Sequence, residues 1–196
     1  MASTRISILA TVAALTLGFA TSSPLLAQGK NDQKKEASVT VGGAAMFPSR
    51  NIIQNAVNSK DHTTLVAAVK AAGLVDTLSG PGPFTVFAPT DAAFKKLPAE
   101  TVANLLKPEN KEMLVKILTC HVVAANAMSP AIMKMIKDDK GEHPVKTVGG
   151  CTFTAMMKNG KIVIKDGKGN LANVTIADVR QSNGVIHVVD TVLMPN

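Results

Sequence analysis

GPFTVFAPTDAAF, residues 82–94, holds a turn, a strand, a second turn and the start of a helix. Pro81, Gly82 and Pro83 break whatever precedes them. Phe84, Val86 and Ala88 alternate with Thr85 and Phe87 in a mostly apolar run, the pattern of a strand buried on both faces. Pro89 ends that strand because it has no N–H for the ladder. Thr90 or Asp91 then offers a side-chain oxygen to the free N–H groups of a helix, Ala92 to Lys96. Phe94 stands where its ring can fold back onto the strand.

Two later segments stand in a fixed order behind this one. ILTCHVV, Ile117 to Val123, reads as a helix end running into a strand over Thr119–Val123. Asn183-Gly184 is a strong turn pair, and VIHVVDTVLMP follows it as a long β-branched strand. The three segments together resemble a secreted bacterial fasciclin-like domain. They match the family's first box, its Tyr-His box and its second box, and the resemblance spans Asn51 to Pro195. It implies a wedge of two antiparallel β-sheets with packed helices. The family-motif residues carried over are Thr90, Asp91, His121, Asp178, Val179, Asn183, Gly184 and His187. It also implies a binding role in cell adhesion or cell-surface and matrix interaction, with a protein or polymer as partner. Some members instead carry a small apolar ligand, a lipid or pigment. Cys120 stands where the family has the Tyr of the Tyr-His box. That change bears on the adhesive epitope linked to that box and to the Asp178-Val179 pair.

The chain has 196 residues, enough for one domain with a proper core. Met1–Ala27 reads as a leader: Arg5 is the charged part, Ile6–Ala20 the apolar part, and Leu25-Leu26-Ala27 the cleavage site. An apolar run of about 15 residues is short for a membrane span. No other run of spanning length occurs, so an exported, soluble mature chain is expected, in the periplasm or secreted. Removing the leader takes away Arg5 and no acid, leaving 20 basic and 14 acidic residues and a net charge of +6. A spread of lysines usually means a solvated surface. Lys158, Lys161, Lys165 and Lys168 cluster enough for one basic hairpin, and attraction to anionic polymers or headgroups is the sharper reading. The chain has no Trp and no Tyr, and five Phe remain after the leader. That scarcity argues against nucleic-acid stacking platforms.

Residues 28–47 read as a polar flexible lead and 48–196 as the domain. Helices are expected over Asn51–Asn58 with Ser49 as cap, His62–Ala72 with Asp61 as cap and Gly73 as stop, and Leu74–Leu78. Pro98 opens one through Leu106, and Glu109–Leu118 packs Met113, Leu114, Ile117 and Leu118. Ser129-Pro130 opens Ala131–Lys137. Strands are expected at His143–Val148, Cys151–Met157, Lys161–Lys165, Asn173–Val179 and Val185–Leu193, with Asn159-Gly160 as a hairpin turn. A helical N-terminal half and a β-rich C-terminal half argue α+β.

His121 and His187 each sit in an apolar stretch, where a ring must find a hydrogen-bond partner. They read as satisfied core histidines; the alternative is a small polar pocket shared with Asp91. Asp178 reads as a strand-edge carboxylate that blocks edge pairing. Cys120 and Cys151 are the only cysteines. In an exported chain an even count invites a disulfide, and two buried thiols are the alternative. The methionines fill core gaps more readily than they ligate copper. No HExxH, GxSxG, Walker loop or dinucleotide fingerprint occurs. No enzyme, metal or cofactor is therefore expected.

Overall fold

The computed structural model of the chain describes residues 37–195. The expected leader Met1–Ala27, its cleavage site and residues 28–36 lie outside the described residues. The described part of the expected lead holds two short strands. Val39–Val41 (β1) and Ala44–Met46 (β2) pair antiparallel around Gly42-Gly43. Val41 and Met46 are buried in the core. Each such side chain contributes about 1.5–3 kcal/mol of burial, which outweighs the polar sequence around it.

Ile52–Ala56 (α1) starts on a reciprocal cap between Asn51 and Gln54, not on Ser49. Thr63–Ala72 (α2) ends as expected on Gly73, with φ +74°. Val75–Ser79 (α3) leads to Phe84–Pro89 (β3) and Asp91–Lys95 (α4), whose N-cap is Thr90. Ala99–Leu105 (α5) and a 3-10 turn at Pro108–Asn110 precede Lys111–Cys120 (α6). Leu114, Ile117 and Leu118 pack inward, but Met113 is 58% exposed, because it lies off the face that those three share.

α6 also takes in Thr119 and Cys120, and His121 closes it, leaving only Val122–Val123 (β4) extended. The strand expected from Thr119 is thus corrected. Thr119 Oγ1 donates to the Val115 carbonyl at 2.7 Å, so the β-branched hydroxyl is satisfied within the helix. Then come Ser129–Asp138 (α7), Glu142–Lys146 (β5), Thr152–Lys158 (β6), Lys161–Lys165 (β7), Leu171–Gln181 (β8) and Gly184–Val189 (β9). Asn159 and Gly160 both hold positive φ, the geometry of a two-residue hairpin turn.

The α+β class stands. The seven strands from β3 onward run in the order β4-β3-β9-β8-β7-β6-β5. β8 belongs to both halves, and register shifts near Ile176 turn it from one to the other. The ladders are antiparallel except β3 with β9, which run parallel. A parallel pair needs a long crossover, and here the chain between them includes α4 to α7.

β3 is buried on both faces, as its sequence predicts. Val86 and Ala88 join the core under α1, α2, α3 and α6, while Phe87 joins the one under α7 with Phe153, Ile164 and Leu193. The two ends of the strand order come back towards each other. Val148 N–H donates to the Val122 carbonyl at 2.8 Å, and Gly149 N–H to that of Thr119 at 3.0 Å. Cys120 and Cys151 form a disulfide across this closure, with Cα atoms 5.5 Å apart. A side chain at Gly149 would collide with Cys120.

Candidate functional site

Asp178 sits at the irregularity in β8 with φ +60°. Its Oδ1 accepts from Ser129 N–H at 2.6 Å, and Ser129 Oγ donates to its other oxygen. The carboxylate thereby fastens the first turn of α7, where the helix dipole favours negative charge. Asp178 N–H donates to His187 Nδ1 at 3.2 Å, and His187 Nε2–H donates to the Ala127 carbonyl at 2.8 Å. Ala127 N–H in turn donates to Thr85 Oγ1 at 2.8 Å, and Thr85 Oγ1 donates to the Ala125 carbonyl at 2.6 Å. The Phe87 ring stacks on His187 with centroids 5.7 Å apart. Together these contacts lace the segment after β4 onto the sheet.

β7 pairs with β8 only at Leu171–Asn173, so at Asp178 β8 has β9 on one side, and the Asp178 carboxylate is taken up by Ser129 of α7. Val179 beside it is completely buried. Of the Asp178-Val179 pair, the valine is thus inside the fold and the half-buried aspartate is tied to α7.

Asn183 makes a second knot. Its Oδ1 accepts from Ile52 N–H at 3.0 Å, and its Nδ2 donates to the Leu78 and Gly80 carbonyls at 2.8 and 2.9 Å. Its own carbonyl accepts from Phe84 N–H at 3.0 Å. Gly82 and Gly184 permit this approach. A Cβ on Gly82 would overlap the Asn183 carbonyl, and one on Gly184 would overlap that of Phe84.

His121 Nδ1–H donates to the Ile117 carbonyl at 2.8 Å, while Nε2 accepts from Leu193 N–H at 2.9 Å. Burial lowers its pKa to about 4, against the pull of the Ile117 carbonyl and Asp166. Burial lowers that of His187 too, against the Ala127 carbonyl and Asp178. Both rings are neutral at pH 7, with their lone pairs taken by backbone N–H groups. Neither can accept a substrate proton without releasing the chain it holds.

Asp91 serves α2 from a distance. Its oxygens accept from Thr64 N–H at 2.8 Å and Thr63 Oγ1 at 2.6 Å, the capping role expected of Asp61. Burial alone would raise its carboxyl pKa, but the bonds from Thr63 and Thr64 outweigh that and hold it below its usual value. The polar pocket of His121, His187 and Asp91 is therefore not formed, since each has its own partners.

Spaces of several sizes lie among the described residues. An apolar cleft of about 200 Å³ lies between the facing edges of β4 and β5, beside α7. Phe87, Ala127, Ile132, Met135 and Val145 line it, with His143 and Lys146 at its side. Under α1 to α3, apolar cavities of about 40 and 30 Å³ hold little more than one water-sized body each. An open groove of about 440 Å³ runs beside α4 and α5. Among the described residues no group of three or more His, Cys, Asp or Glu is placed to hold a metal ion. Sequence reasoning missed Thr85 and Ser129 as anchors. A lone hydroxyl within the apolar run of β3 was the available signal for Thr85.

The family model described as Fasciclin domain matches residues 60–195. Protein sll1483 of Synechocystis is 46% identical over 178 residues, 91% of this chain and 91% of its own. Cell surface glycolipoprotein MPB83 of Mycobacterium bovis is 35% identical over 161 residues, 80% of this chain and 64% of its own. A solved FAS1 domain pair from the insect cell adhesion molecule fasciclin I superposes with a TM-score of 0.67. That match covers 82% of this chain and 58% of the other, and at 19% identity it is a likeness of fold.

Proposed function

This chain belongs to the fasciclin domain family, and we propose from that premise that it is an exported single-domain binding module. Its role is cell adhesion or cell-surface and matrix interaction. One observation carries the reading: the family-motif side chains are spent on holding the fold. His121, His187, Asp91, Asp178 and Asn183 each have partners within the chain. A partner then meets the outside of the wedge, and the motif residues keep that outside in shape. MPB83, a cell surface protein by its name, and fasciclin I, a cell adhesion molecule by its title, support the role. The reading is of a binding module and not an enzyme.

Export rests on the leader Met1–Ala27, cleaved near Ala27, and on the Cys120–Cys151 disulfide, which suits an oxidising compartment. No helix among the described residues is long and apolar enough to cross a membrane. The partner is a cell-surface or matrix protein or polymer. The test uses the oxidised, exported chain, labelled and applied to intact cells and envelope fragments of its own lineage. Saturable retention at physiological salt, competed by unlabelled protein, is expected. No saturable retention on any of these preparations overturns the reading. The intact mass of the exported chain checks the cleavage site.

A second reading, a periplasmic carrier of a small lipid or pigment, is favoured by the apolar cleft beside α7. The cavities under α1 to α3 are too small for such a cargo. An apolar species that stays bound through native mass spectrometry supports this reading; a bare protein from its natural source opposes it.

A further inference from the structure

Strands β5, β6 and β7 treat their two faces differently. Phe153, Ala155, Ile162 and Ile164 point inward and share a core with Ile132 and Ile136 of α7. Every lysine of the three strands points the other way. The register sets Lys158 opposite Lys161, Lys165 opposite Thr154, and Lys146 opposite Thr152. Cross-strand partners share a face, so the four lysines stand on one side of the sheet. Glu142 is the one acid in these strands; it lies on the same face, 3.2 Å from Lys165.

Lys158 directly opposite Lys161 is a like-charge pair, which costs stability in a sheet. An anion lying across both relieves that cost. Lys161 and Lys165 are four residues apart on one strand, about 13 Å. The lysines thus run along the strands and across three of them, around Val163, which is buried in the middle of that face, and suit an extended ligand carrying several negative charges.

We propose that the outer face of β5–β7 docks a linear anionic polysaccharide, whose carboxylate or sulfate groups lie against Lys146, Lys158, Lys161 and Lys165. This names a partner class for the surface-binding module and rests on that reading. Ammonium groups are compact point charges that meet such anions without fixed orientation. A membrane surface is a poorer fit, since interfacial binding uses an apolar face with Trp, Phe or Leu. The chain has no Trp, and the Phe of these strands, Phe153, points inward. Nucleic acid is also poorer, for want of a stacking ring or an arginine on this face.

The test measures binding of the oxidised, exported chain to polygalacturonate and dextran sulfate by calorimetry, with neutral dextran and phosphatidylglycerol vesicles as comparisons. One variant carries Lys146→Gln, Lys158→Gln, Lys161→Gln and Lys165→Gln. A control carries Lys60→Gln, Lys70→Gln, Lys95→Gln and Lys116→Gln, which removes the same charge from exposed positions elsewhere. The wild type is expected to bind both anionic polymers, more weakly as salt rises. The face variant is expected to lose about tenfold or more in affinity and the control about twofold or less. Glu142→Gln is expected to tighten binding.

Equal losses in both variants overturn the proposal, because net charge would then explain them. Face-dependent binding to the vesicles without binding to the polymers overturns it in favour of a membrane. A wild type that binds envelope fragments but neither polymer overturns the proposal and leaves the module reading intact. Binding to none of them ends both.

Discussion

The corner built by Asp178, His187 and Asn183 and the outer face of β5–β7 use polar side chains in opposite ways. In the corner each polar group is half-buried or buried and bonded to the backbone of a distant segment. On the lysine face Lys146, Lys158 and Lys161 are exposed and Lys165 is half-buried beside Glu142, and Lys158 and Lys161 face each other. Burial explains the difference. A polar group removed from water must be paired, so the corner is over-determined and resists change. An exposed ammonium contributes little to the fold, so its placement is free to follow an external partner. The residues most recognisable in the sequence are therefore guides to the fold, and on the proposed reading the residues that meet a partner are among the ordinary ones.

Substitution at His121 gives the hardest test of that contrast. His121→Ala removes a buried ring and orphans Leu193 N–H, at a cost of about 4 kcal/mol. Thermal denaturation should show Tm lowered by roughly 10 °C. An unchanged Tm would break the comparison, since the motif residue would then be dispensable to the fold. Next in size is reduction of Cys120–Cys151, which ties the end of α6 to the turn between β5 and β6 and spans 31 residues. Chain entropy predicts a loss of ~3–4 kcal/mol, read by denaturant unfolding with and without reductant. Hydrogen exchange should quicken first in β5 and β6, the lysine-bearing half; a uniform change would mean that the two regions open as one.

Acid gives a smaller effect. The unfolded chain takes up a proton at His121 near pH 6.5, whereas the folded chain refuses it until about pH 4. Stability is therefore full above pH 6.5, falls as pH drops below it, and stops falling on this account below about 4. At pH 5 the loss from His121 is ~2 kcal/mol relative to pH 7. His62 and His187, both lowered by burial, act in the same direction. Urea unfolding at pH 7 and pH 5 measures it, and equal midpoints would contradict the buried neutral rings. Smallest of all is the four-lysine variant, whose Tm should stay within the equivalent of ~0.5 kcal/mol. A larger fall would make the lysine face structural and erase the distinction.

Local chemistry was legible in the sequence where one residue settles it. Gly73 stops α2, Asn159-Gly160 turns β6 into β7, and the apolar run of β3 is buried on both faces. What escaped depends on partners far along the chain. Thr119, Cys120 and His121 look extended by propensity. They finish a helix because Thr119 bonds back within it, Cys120 bridges to Cys151, and His121 holds Leu193. Asp61 stands next to α2, yet Asp91 caps it from 27 residues away. Val39–Met46 looks like a tail and packs as a hairpin because the core offers Val41 and Met46 somewhere to go. In the candidate site, the residue types at Asp178 and His187 were readable, but not that their bonds close on Ser129 and Ala127.

β9 lies between β3 and β8, in the interior of the strand order, although it follows every other strand along the chain. A polypeptide emerging from its N-terminus thus presents β3 with an open edge until Val189 has been made. The core cannot close before then, because Ile186 and Val188 are among its buried members. Partial products should be poor at folding and readily held by chaperones. On the proposal that the chain is exported, this late closure keeps the passenger loose until Val189 has been made.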